Sequence, residues 1–473
     1  MEGIEAASPE RERRLLRIHR PLLLAIYIGE AAAGALGFAW NRYHLILGTV
    51  TSRQRAYLAV PAAILATSLV YIARSVFREW RVDARRLAVT VALNAVPMIV
   101  ALSGGELCAR LLTSGTALGP AINGVVLLPK SWTAVRARNL ALLEKAPAKI
   151  SYFVADTLLG WTVGPDRRST DGIYTSSAEG IRTAEPGTRY ASQHVRTTIA
   201  VIGDSYAFGL EVPFADTWGA RLQQSLGPEF RVLNFGVDGY GVDQAYLRYQ
   251  RDVRPWHPAL TIFSFIEHDL YRSMSVYNFL TFPEWGFPFS KPRFALAGGT
   301  LELLNVPLAS FVSLARERAV GDLPYLDFEP AFHTSEWVWR WYDHSQLVRF
   351  VASRFPPYYP DNPRADRKTE LRVNLALFAG FAHAAPGEGT VPLIVYLPSR
   401  GDYSGQDRSE KDSLLAGLER SGVHYENLTD CLRAAGGERL FIPGHPHYAP
   451  SGNAVVSSCL VPVVRSLLRA AAN

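Results

Sequence analysis

The chain has 473 residues, 48% of them hydrophobic, with a formal net charge of +6. That length exceeds one ordinary domain, and a mean hydropathy of +0.03 is too apolar for a wholly water-exposed protein. The positive charge does not mark a nucleic-acid face, because much of the arginine flanks apolar runs, and the three cysteines show no Cys-x-x-Cys spacing for a metal.

Residues 21–40 form the first apolar run, broken by Glu30 and preceded by Arg11, Arg13, Arg14, Arg17 and Arg20. It has the length of a membrane-spanning helix with a basic flank. Residues 56–73 and 87–103 are a second and a third candidate, the third shorter and interrupted by Asn94 and Pro97. Arg74, Arg78, Arg81, Arg85 and Arg86 lie between the second and third, a denser cluster than Arg42, Arg53 and Arg55 between the first two. The positive-inside rule then puts the N-terminus and the second loop in the cytoplasm, and everything after residue 103 outside. On that side Cys431 and Cys459 would be either a disulfide or two buried thiols.

The organisation expected is a transmembrane segment at 1–104, a linker and lead-in at 105–196, and an α/β domain at 197–473. The lead-in is rich in Ser, Thr, Gly and Pro, with turn-like landmarks at Gly160-Trp161 and Gly180, and is expected to lie against the domain that follows.

Residues 198–202 are β-branched and apolar, reading as a buried parallel strand that ends in Gly203-Asp204-Ser205-Tyr206. A helix is expected at 214–226, capped by Asp216, with Trp218, Leu222 and Leu226 on one face. Further strands are expected at 231–235, 260–266 and 391–397, followed respectively by Gly236 to Gly241, by Glu267-His268-Asp269, and by Pro398-Ser399-Arg400. Strands alternating with helical stretches predict a doubly wound parallel sheet flanked by helices. Its crevice would collect Ser205, Gly239, His268 and Asp269. An inserted lobe is expected at 277–385.

Near the C-terminus, Gly444-His445-Pro446-His447 precedes an apolar-periodic helix at 454–471, with Val456, Leu460 and Val464 on one face. A histidine on such a loop can return to the crevice as a general base, which a serine hydroxyl needs before it becomes a competent nucleophile. No further ligand at metal spacing accompanies His445 and His447, and neither a phosphate loop nor a dinucleotide fingerprint is present, so no cofactor is expected. Asp269 with Arg272 reads equally as an ion pair or as a substrate contact. The aromatic run from Trp337 to Tyr342, with Tyr358 and Tyr359, reads as a sugar platform or as the core of the lobe.

These blocks in this order resemble the SGNH, or GDSL-type, hydrolase superfamily over residues 199–468: Gly203-Asp204-Ser205, then Asn234 to Gly239, then the acidic block after the third strand, then His447 followed by Gly452. More narrowly, Leu159-Gly160-Trp161, Lys291 to Phe294 and Asn305-Val306-Pro307 are similar to membrane-anchored bacterial members. The resemblance implies a flavodoxin-like strand order and a domain outside the bacterial inner membrane. It implies Ser205 as nucleophile, the backbone N–H groups of Ser205 and Gly239 in the oxyanion hole, and His447 as base.

Two positions depart from that pattern: His268 stands where an oxyanion asparagine is usual, and no aspartate lies two or three residues before His447. The orienting acid would then be Asp269, another acid from the inserted lobe, or none, leaving a dyad or a site without hydrolysis. The activity implied is a serine esterase acting on O-acyl, above all O-acetyl, groups of a cell-surface glycan. The alternatives are a glycan O-acyltransferase served by a membrane acyl-donor partner, and a non-catalytic glycan-binding or assembly protein.

Overall fold

The computed structural model describes residues 66, 99–100, 102–145, 151–354, 362–405 and 409–472. The expected spans at 21–40, 56–73 and 87–103 therefore lie outside the described residues, apart from residue 66 and the end of the third. The chain divides into two compact units, Met1–Thr113 with His344–Tyr358, and Ser114–Asp343 with Tyr359–Asn473. In the first unit Glu106 caps the helix Gln346–Arg354 from a distant part of the chain. Its carboxylate accepts from Ser345 Oγ at 2.7 Å and from the backbone N–H groups of Gln346 and Leu347 at 3.1 and 2.9 Å.

The second unit is built on one sheet. Its strands in chain order are β1 (Thr175–Ser176), β2 (Arg182–Thr183), β3 (Thr197–Ile202), β4 (Phe230–Asn234), β5 (Leu260–Phe265), β6 (Val391–Tyr396) and β7 (Tyr425–Asn427). In space they run β7-β6-β5-β3-β4-β2-β1. The strands from β3 onward pair in parallel, and β2 joins β4 antiparallel through Arg182 and Asn234. Counted along the chain, the parallel strands lie in the order 2-1-3-4-5, and the order reverses between β3 and β5. Open α/β sheets bind ligands at that reversal, beyond the carboxyl ends of the strands.

The apolar runs of β3 to β6 are continuous because both faces of the sheet are covered. On one face Ala200, Ile202, Leu233, Phe263, Phe265 and Ile394 pack with Phe378 and Phe381 of the long crossover helix Arg367–Gly387. On the other, Ile199, Val201, Val232, Ile262 and Val395 meet two helices. These are Trp218–Leu226 and Pro450–Ala472, the latter presenting Val456, Leu460 and Val464. Among the described residues this C-terminal helix alone is long and apolar enough to cross a membrane, yet those three side chains are wholly buried in the core.

Three details differ from the sequence reading. Thr217, not Asp216, caps the helix Trp218–Leu226, its hydroxyl accepting from Ala220 N, while Asp216 pairs with Arg221 at 2.7 Å. The crossover helix Arg367–Gly387 falls largely inside the region read as an inserted lobe, so the extra structure ends earlier than residue 385. The lead-in supplies β1 and β2, and its Trp161 is fully buried. Trp161 Nε1 donates to Asp238 O at 2.9 Å, and Tyr240 Oη donates to Trp161 O at 2.6 Å, which fixes the loop carrying Gly239 from both sides. Cys431 and Cys459 form a disulfide between the helices Thr429–Ala434 and Pro450–Ala472.

Candidate active site

Ser205 opens the one-turn helix Ser205–Phe208 directly after β3. The turn that presents it needs Gly203, whose φ of 146° lies in the region favouring glycine and whose absent Cβ would strike Ser264 O of β5. Asp204 caps the turn, accepting from Tyr206 N at 2.9 Å and Ala207 N at 3.4 Å. Ser205 itself is 1% exposed, so its hydroxyl is sheltered from bulk water.

His447 arrives from the other end of the domain, on the loop before the C-terminal helix, with its Nε2 3.0 Å from Ser205 Oγ. Several groups hold that loop. Tyr206 Oη donates to Pro446 O at 2.7 Å, and Arg400 donates to Ile442 O and His445 O at 2.8 and 3.1 Å. Tyr448 Oη donates to Pro398 O. The two side chains that sequence reasoning assigned as hydroxyl and base are thus brought into hydrogen-bonding contact across 242 positions.

The carboxylate at His447 is Glu211, which sequence reasoning missed. Its Oε2 lies 3.1 Å from His447 Nδ1, and its Oε1 lies 2.9 Å from His445 Nδ1. The His447 hydrogen bond is the chief cause holding the Glu211 carboxyl below its ordinary value, with burial opposing and His445 assisting. A carboxylate accepting at Nδ1 selects the tautomer that carries its proton there, leaving Nε2 with a lone pair toward Ser205. Glu211 follows Ser205 by six residues, in a loop of Gly209, Leu210 and Val212 where an acid has no packing reason to stand. Its φ of 69° is unusual for a residue with a side chain. That isolated charge was the available signal.

Asp269 is not that acid, nor is any residue of the inserted lobe. Asp269, buried at the second position of the helix His268–Arg272, pairs through Oδ1 with Arg272 at 2.7 Å and accepts through Oδ2 from Ile266 N at 3.0 Å. Arg272 Nη1 also reaches Asp204 Oδ2 and Tyr240 O, each at 3.3 Å. The ion pair between Asp269 and Arg272 is present. Burial raises both carboxyls: Asp204 with Arg272 opposing, and Asp269 well above its ordinary value, the Asp204 charge adding to burial. The guanidinium between them sits 4.7 Å from the Trp285 ring.

His268 is exposed at the first position of that helix, its ring 5.4 Å from Phe282 and 6.0 Å from Trp285. Gly239 adopts φ 79°, and a side chain there would press on Trp161 and Phe287. Among the described residues no group of three or more His, Cys, Asp or Glu side chains is placed to hold a metal ion.

No family model matches the chain, and no curated protein does. Several solved structures do. An alpha/beta hydrolase from the metagenome of Lake Arreo matches at 13% identity and TM-score 0.32, over 58% of this chain and 98% of its own. A lipase/acylhydrolase from Enterococcus faecalis matches at 12% and 0.31, over 57% and 96%. A member of the lipolytic protein G-D-S-L family from Veillonella parvula matches at 11% and 0.27, over 57% and 98%. Likeness at this level assigns no chemistry.

Proposed function

We propose that the protein is a serine esterase with Ser205 as nucleophile, His447 as general base and Glu211 as the acid that orients it. The observation that carries this reading is the unbroken chain from Ser205 Oγ to His447 Nε2 at 3.0 Å and from His447 Nδ1 to Glu211 Oε2 at 3.1 Å. His447 takes the hydroxyl proton as Ser205 Oγ attacks an ester carbonyl carbon. Glu211 stabilises the imidazolium that results. The backbone N–H groups of Ser205 and Gly239 are assigned to the developing oxyanion, in the role resemblance gives them. His447 then returns its proton to the departing alcohol, leaving an acyl-enzyme that water hydrolyses by the same steps in reverse.

The substrate we assign is an O-acylated, specifically O-acetylated, cell-surface glycan, met outside the cytoplasm by a domain held at the inner membrane by N-terminal spans. Support for that location comes from the basic flanks of the apolar runs and from the Cys431–Cys459 disulfide, a bond that persists in oxidising compartments. The non-catalytic alternative drew on His268 and His445 standing where asparagine and aspartate are usual; Glu211 answers the second of these, and His268 still stands in the asparagine's place. The purified full-length protein should release p-nitrophenol from p-nitrophenyl acetate, and Ser205→Ala should abolish that release. Equal rates in the two proteins would remove Ser205 from the chemistry. In a deletion strain, glycan O-acetylation should rise; a fall would instead indicate that a sugar hydroxyl replaces water and that the protein transfers acyl groups.

A further inference from the structure

Glu211 stands in a left-handed backbone conformation, as does Gly209 at φ 74°. For a residue with a side chain this costs on the order of 1 kcal/mol and persists only where the surroundings over-determine it. The determinants here come from the lead-in, before the first parallel strand. Tyr174 Oη accepts a hydrogen bond from the backbone N–H of Glu211 itself at 2.9 Å. Arg182, fully buried in β2, spends its guanidinium on the carbonyls on either side of Glu211. Nη1 donates to Phe208 O and, at 2.5 Å, to Gly209 O, and Nη2 donates to Val212 O at 2.6 Å.

The same guanidinium lies 4.3 Å from the Phe208 ring and 4.9 Å from the Tyr174 ring, so the two lead-in residues brace each other. The remaining N–H groups of the turn, those of Gly209 and Leu210, return to Ser205 O at 2.9 and 3.0 Å. On the far side, Asn234 Nδ2 donates to Ala207 O at 2.9 Å, and Asn234 is the partner of Arg182 in the sheet. The segment from nucleophile to acid is therefore clamped by Tyr174 and Arg182 from the lead-in, outside the parallel α/β core, and by Asn234 at the end of β4.

We propose that Tyr174 and Arg182 are positioning residues for catalysis, acting through Glu211, so that the lead-in is part of the active-site apparatus and not a spacer. Returning residue 211 to an ordinary negative φ would swing its Cβ, and with it the carboxylate, away from His447 Nδ1. A displacement of about 1 Å in a catalytic group can lower turnover by roughly a hundredfold. This inference rests on the reading of Ser205, His447 and Glu211 given above.

The variant that tests it is Tyr174→Phe, which removes the acceptor oxygen but keeps the ring against Arg182. With full-length protein and p-nitrophenyl acetate, we expect kcat to fall roughly ten- to a hundredfold with KM unchanged. In a Glu211→Gln background the same substitution should change kcat less than about twofold, because the group it positions is already disabled. Wild-type kcat in Tyr174→Phe would overturn the proposal. So would an equal loss in both backgrounds, which would mark a general structural effect. Arg182→Lys, which keeps the charge but loses the fork that reaches three carbonyls, should reproduce the kcat loss, and wild-type kcat in that folded variant would exclude Arg182 from the role. Failure of the underlying reading shows elsewhere, as full activity in Ser205→Ala.

Discussion

Glu211 and His447 are 236 positions apart in the chain and face each other at 3.1 Å, carboxylate to imidazole. The carboxylate reaches the ring from the nucleophile's own loop and not from the loop that carries the histidine. Its second oxygen holds His445 at 2.9 Å, so one acid steadies two imidazoles, one half-buried and one exposed.

Replacing that carboxylate by an amide of the same shape separates charge from packing. Glu211→Gln should lower kcat for p-nitrophenyl acetate by about 10³ to 10⁴, with little change in KM, because the amide no longer fixes the tautomer or balances the imidazolium. Steady-state kinetics on the purified protein checks this. Retention of wild-type kcat would show that the site works as a Ser205–His447 pair.

A second prediction concerns pH and a group remote from this chemistry. Burial, reinforced by Glu410 and Glu267 and opposed by Arg367 and Arg293, raises the Glu370 carboxyl from 4.5 to about 8. The folded protein therefore keeps a proton that the unfolded chain releases between those values. Stability linked to Glu370 is fully present below about pH 4.5 and is lost as pH rises through about 8. Glu370→Gln should leave the unfolding midpoint at pH 4 unchanged and raise it at pH 9, by a stabilisation on the order of a few kcal/mol. Thermal unfolding at the two pH values measures it, and equal shifts at both would contradict the assignment.

The bridge between Cys431 and Cys459, 28 positions apart, restricts the unfolded chain and should contribute about 3 to 4 kcal/mol by loop-closure entropy. A Cys431→Ser, Cys459→Ser double variant should unfold at lower urea concentration, and reductant should shift the wild type the same way but not the variant. Under native oxidising conditions a thiol reagent should label the exposed Cys108 alone. Labelling of all three cysteines would exclude the bridge.

The central strands were legible because nothing but a sheet covered on both faces suits their composition. The expected strand at 260–266 lies at Leu260–Phe265, and that at 391–397 at Val391–Tyr396. The C-terminal helix was legible from the spacing of Val456, Leu460 and Val464, all wholly buried. Two-residue strands such as Thr175–Ser176 and Arg182–Thr183 are too short to show any periodicity, so the lead-in's place in the sheet could not be read. That Ser205 and His447 would meet was legible because a hydroxyl after a strand and an imidazole before a helix stand in recognisable surroundings. Glu211 has no such surroundings: the resemblance points to an acid shortly before His447, with Asp269 or the inserted lobe in its place, whereas the carboxylate stands on the nucleophile's own loop.

Because Ser205 and Glu211 share one short turn, the imidazole is the only member of the proposed trio contributed by distant sequence. Synthesised in chain order, the hydroxyl and the carboxylate are both made before the proposed proton acceptor, His447. The stretch that adds His447 also adds the helix Pro450–Ala472 against the sheet, so one event in synthesis both covers that face of the core and supplies the imidazole the proposed chemistry needs.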